Sequence, residues 1–164
     1  VDTAALAEQY DAGPATSGSI CLSAIVTETE ADAADAATQL DGGADFATVF
    51  TEANIDPTLA ADVGALPCIT AADLDNAAGT PLIDAAATMS ADDPTATTEL
   101  RDDTGQPVAW AVLSFRTFDE LPPADADFVT SSLDVSAAAA EADIHVDPRY
   151  GTFDPVLGQV IALG

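Results

Sequence analysis

The carboxylates come first, because 29 acidic residues are the commonest chemistry-bearing groups in the chain. Asp92-Asp93 and Asp102-Asp103 are paired acids of the kind that ligate cations. Neither pair has the interior glycine and closing glutamate of an EF-hand loop, so solvated turns explain them better. Asp56 stands before Pro57 in the stretch ANIDPT and reads as a turn aspartate. Carboxylate-pair hydrolysis is open to any chain this acidic, and nothing marks one pair for it. His145 is the only histidine, which excludes a His-based triad or metal cluster; it reads as a surface or hydrogen-bonded strand residue. No metal site is expected. No cofactor is expected either, since Gly42-Gly43 reads as a helix stop and not as a phosphate-cradling loop. Cys21 and Cys68 have neither zinc-site nor CxxC spacing. They are either two buried thiols or one disulfide, which would stabilise by about 4 kcal/mol and imply an oxidising compartment. Trp110 and Phe115 sit on a strand-like run and read as core.

The elements that must hold these groups follow from periodicity and punctuation. TAALAEQYD at 3–11 predicts a short helix, closed by Gly13-Pro14. It reads as the tail of a longer helix, so 1–18 is expected to be a helix and linker cut from a partner segment. Ser19–Val26 predicts a buried strand. Thr27 and Glu30 form a capping-box pair for the next helix, with Ala33, Ala36, Ala37 and Leu40 along one side. Asp45 caps a second helix carrying Phe46, Val49 and Phe50 at helical spacing. After a turn at 54–62, Val63–Ile69 predicts a second strand. Helical pieces fill 71–89, with Pro81 at a first helical position. Thr97–Arg101 and Val108–Phe118 predict a hairpin around the DDTGQ turn. The order β-α-α-β-α-β-β is therefore expected over 19–121. From 122 to 164 an alanine-rich helix at 124–142 and an irregular tail are expected to pack back on that body.

Composition narrows the partners. Only three cationic side chains, all arginine, face the 29 acids, for a net charge of −26. Such a field repels phosphate backbones and anionic lipid, so nucleic acid is not an expected partner. No run reaches the roughly 18–20 apolar residues that cross a bilayer. The first residues lack the basic and apolar regions of a signal peptide, so any membrane anchor is expected in a segment before Val1. The lysine-free, acidic surface fits a saline habitat.

Five segments, in order, carry a resemblance: SAIVTETEAD at 23–32, LDGGADFATVF at 40–50, ANIDP at 53–57, VGALPCI at 63–69 and VAWAVLSF at 108–115. Over about residues 19–118 the chain resembles the parvulin-type (rotamase, PpiC) peptidyl-prolyl cis-trans isomerase domains, of the secreted SurA- and PrsA-like foldase kind. LDGGADFA is the most specific of the five. The ending VDPRYGTFDP at 146–155 also looks like the tail of secreted proteins of this type. The resemblance implies an α+β fold in which a four-stranded antiparallel sheet is wrapped by short helices, with an N-terminal helix and a C-terminal extension added. It also implies that Cys21 and Cys68 form a disulfide and that the chain is extracytoplasmic.

The departures from the family carry as much weight. Its two histidines fall at Ser23 and Ala111, its acidic or cysteine position at Asp56, its pocket aromatic at Leu82 and its methionine neighbour at Ala78. Leu66 and Met89 complete the implied substrate-binding set. Isomerisation must overcome a barrier of about 18–20 kcal/mol set by amide resonance, by gripping the ring and favouring the twisted amide electrostatically. Ser23 can donate a hydrogen bond there, whereas Ala111 cannot. The expected function is thus a parvulin-like module of a secreted foldase or chaperone that binds unfolded or extended polypeptide clients, with catalysis weak or lost. The alternatives are an active isomerase using Asp56, Ser23 and the Leu82 pocket, and a non-catalytic secreted scaffold.

Overall fold

A computed structural model describes residues 3–141, 152–154 and 159–161 of the chain. Helix α1 (Thr3–Asp11) and the single turn α2 (Pro14–Ser17) lead into β1 (Ser19–Ile20) and β2 (Leu22–Thr27). Helices α3 (Glu30–Asp41) and α4 (Phe46–Ala53) follow, then a 3-10 turn (Pro57–Asp62) and β3 (Ile69–Thr70). Short helices α5 (Ala71–Asn76) and α6 (Pro81–Ala86) precede the hairpin β4 (Thr95–Arg101) and β5 (Pro107–Phe115). Helix α7 (Pro123–Glu141) and a small ribbon, β6 (Thr152–Asp154) with β7 (Gln159–Ile161), close the series. The predicted tail around His145 lies outside the described residues.

The mixed α+β class holds, with every strand pair antiparallel. The sheet itself differs from the expected four strands. It is three-stranded in the order β2-β5-β4, and β1 pairs with β3 as a separate two-stranded ladder on the same edge. A single bridge, Ser23 to Ala65, joins the two. The predicted strand at 63–69 fails locally because Val63 and Gly64 both have positive φ, 48° and 77°, and Pro67 has no N–H to give a ladder. Regular pairing survives only at Ile69–Thr70.

Period-2 alternation gives the sheet two buried faces. Leu22, Ala24, Leu113 and Phe115 share one, packed with Tyr10, Leu74, Met89, Val129 and Leu133. Ile25 and Val112 lie on the other, against Ala33 and Ala36 of α3 and Val49 and Phe50 of α4. Asp45 caps α4 as its spacing predicts, accepting from the Thr48 N–H. The cap of α3 is Thr29, not Thr27: its side chain accepts from the Asp32 N–H. Thr27 is held in β2 by pairing with Trp110, so the strand wins this residue and the T-x-x-D frame two positions on starts the helix.

Cys21 and Cys68 form a disulfide. One step along the β1–β3 register from Ile20 and Ile69 these residues come opposite each other, with Cα atoms 4.2 Å apart.

The N-terminal helix is fastened to the sheet through Tyr10. Its hydroxyl accepts from the Cys21 N–H at 2.9 Å and donates to the Arg116 carbonyl at 3.1 Å. The ring stacks on Phe115 with centroids 5.3 Å apart. Burial pushes the phenol above its ordinary pKa, so the donor keeps its proton. Tyr10→Phe leaves a buried N–H and a carbonyl without partners while preserving shape. The expected loss is about 1–3 kcal/mol in a denaturant titration, and a loss near zero would mean that α1 is only loosely attached. Helix α7 is tied down in a similar way: the Arg116 guanidinium bonds Asp125 at 2.7 Å and the Leu66 carbonyl at 2.8 Å.

Candidate functional site

The segment after α4 is built by side chains that close on the backbone. Asn54 accepts from the Val26 N–H at 3.0 Å and donates to the Asp56 carbonyl at 2.7 Å. The Ile55 N–H bonds the Val26 carbonyl at 2.8 Å. These contacts stitch residues 54–56 to the outer edge of β2. Asp56 then starts the 3-10 turn, its Oδ1 accepting from the Thr58 N–H at 2.8 Å and the Thr58 hydroxyl at 2.7 Å. Both bonds favour the ionised form and hold the carboxyl below the usual carboxylate range. That support for the turn is present above the unfolded pKa and fades as pH falls through the lowered one.

Beyond the turn, Val63 is the only non-glycine residue of positive φ among the described residues, an uncommon state for a β-branched side chain. Gly64 follows at φ 77°, and the Ala24 N–H bonds its carbonyl at 2.8 Å. Between α4, the turn and Val63 lies an open hollow of about 420 Å³, lined by Phe50, Ile55, Asp56, Pro57, Ala60 and Val63 among others. Ile55 and Val63 stay 55% and 42% exposed, so the hollow has an uncovered apolar rim.

The expected site residues do not converge on one place. Ser23 and Ala111 lie on opposite faces. Ser23 pairs with Ser114, whereas Ala111 pairs with Val26, three residues further along β5, and an odd step changes face. The neighbour of Ser23 is therefore a second hydroxyl residue, followed across the sheet by Thr95. Ser23 shares its face with Ile25, on the Phe50 side; Asp56 borders the hollow that Phe50 lines. On the other side are Met89, buried in the core, with Leu66 and Leu82 packed partly buried against it. Ala78 is exposed and lines a smaller hollow of about 190 Å³ with Pro14, Leu74 and Ile83. No histidine occurs among the described residues. Asp102, one of the paired acids, is a turn residue accepting from Thr104 and Gln106.

Sequence reasoning passed over Ile55 and Val63. The available signal was an apolar, β-branched residue on each side of the Asp56-Pro57 turn, with no periodicity to bury it.

Neither a protein-family profile nor a curated protein sequence matches the chain. Among solved structures it is similar to the parvulin NmPin of Nitrosopumilus maritimus, at 18% identity and a TM-score of 0.45, covering 60% of this chain and 95% of that one. It is also similar to PrsA from Bacillus subtilis, at 18% identity and a TM-score of 0.44, covering 88% of this chain and 57% of that one. The chain thus spans little more than half of PrsA. Among the described residues no helix is long and apolar enough to cross a membrane.

Proposed function

We propose that the chain is a parvulin-like, extracytoplasmic module that holds extended polypeptide in the hollow beside Asp56 and has lost isomerase catalysis. The observation that carries this reading is the uncovered apolar rim of Ile55 and Val63 beside a carboxylate already engaged by Thr58. A twisted prolyl amide needs a donor or charge aimed at it. Here Oδ1 of Asp56 faces its own turn, and Ser23 has another serine for a neighbour. What the hollow offers is apolar contact, which binds ground state and twisted state alike and so does not accelerate rotation. The motifs at 40–50 and 53–57 support the parvulin-like reading, and the disulfide supports a location outside the reducing cytosol.

The test is suppression of aggregation of an unfolded client. The wild-type chain is expected to suppress it. Ile55→Asp, at an exposed side chain whose backbone bond to Val26 is retained, is expected to weaken the effect about tenfold, as the loss of one buried aliphatic contact would. An Ile55→Asp variant as effective as wild type would move the client elsewhere. No suppression by either protein would favour a plain scaffold.

A further inference from the structure

We infer that this hollow selects cationic, partly apolar segments, a client class that rests on the reading of the hollow as a polypeptide site. Ile55 lines two hollows at once. On one side is the apolar rim of Pro57 and Val63. On the other is an open space of about 340 Å³ walled by Glu28, Asp32, Asp35 and Glu52. The sequence brings these carboxylates together: Glu28, Asp32 and Asp35 recur at helical spacing where the chain enters and follows α3, and Glu52 comes from the last turn of α4, which packs on α3.

Helix stability does not account for the set. Asp32 suits the first turn of α3 and accepts from its cap Thr29. Glu52, by contrast, lies at the C-terminal end of α4, where the helix dipole disfavours an anion. No cation of the chain answers them among the described residues. Arg101 pairs with Glu99 and Arg116 with Asp125, and the chain has no lysine. The same charge argues against a second copy as occupant, since two surfaces of a −26 chain repel. The complementary partner is an extended segment whose aliphatic or proline residue covers Ile55 and Val63 while a neighbouring lysine or arginine reaches the carboxylates.

Three fluorescent peptides sharing one Ile-Pro-Val core, flanked by alanines, by lysines or by glutamates, test this by anisotropy with the full chain. At low salt the lysine peptide is expected to bind about tenfold tighter than the alanine one, an advantage that shrinks at high salt. Asp35→Asn with Glu52→Gln is expected to remove about fivefold of that preference. Asp92→Asn with Asp103→Asn, an equal change of net charge elsewhere, is expected to leave it intact. Equal binding of the alanine and lysine peptides overturns the selectivity and spares the groove. Binding of none overturns both. Equal losses in the two double variants would assign the preference to the overall field and overturn the site. Self-association abolished by Ile55→Asp would make the occupant a second copy.

Discussion

Replacing Cys21 and Cys68 together with alanine is expected to lower the unfolding free energy by about 4 kcal/mol. The bond joins residues 47 positions apart, and the loop-closure entropy it removes from the unfolded chain has that magnitude. The loop contains α3, α4 and the whole candidate site, so without the bond these elements rely on the smaller core of Ile25, Val49, Phe50 and Val112. That core is rich in alanine, which adds little apolar area per residue. For a chain of this size the loss corresponds to roughly 8–16 °C in melting temperature. Thermal unfolding with and without a thiol reductant checks it in the wild-type protein. A shift of only a degree or two would mean that the reduced chain keeps the same structure in its unfolded ensemble or that the bond adds little constraint.

Gly64→Ala is expected to cost about 2–4 kcal/mol and to deform the hollow. A Cβ at this position would meet the Ala24 carbonyl oxygen at 2.5 Å and the Phe50 ring at 3.0 Å. The oxygen belongs to the backbone of β2, which is held on its other side by the ladder to β5, so it cannot swing aside. The left-handed φ adds about 1 kcal/mol for any residue with a side chain. Relief requires the 63–66 segment to move off β2, breaking the bonds from Ala24 to Gly64 and from Leu66 to Leu22. Chemical denaturation measures the cost, and loss of peptide binding alongside it would show that the hollow depends on this close approach. A neutral substitution would mean that the edge segment sits further from the strand.

Much of this architecture was legible where local signals agree. Asp45 with Phe46, Val49 and Phe50 specifies a capped amphipathic helix, and β5 declares itself by its β-branched and aromatic run. Reading became harder where two local solutions compete. Thr27-Glu30 and Thr29-Asp32 are both capping frames, and only the pairing of Thr27 with Trp110 decides between them. The site was less legible still. Whether Ser23 and Ala111 face the same way depends on the register between strands some ninety residues apart, and a slip of one residue inverts the answer. Tyr10 looked like the end of a detached helix because its partners, the Cys21 N–H and the Arg116 carbonyl, are backbone groups that carry no sequence signature.

The proposed loss of catalysis is best tested by exchange NMR on a labelled proline peptide that the protein binds. Binding moves or broadens the peptide resonances, while cis–trans exchange is read separately from cross-peaks in the same spectra. The expected result is perturbed resonances with exchange at the uncatalysed rate, tens to hundreds of seconds at 25 °C. Exchange accelerated by the wild-type chain and slowed again in Asp56→Asn would contradict the account and make Asp56 part of a working isomerase.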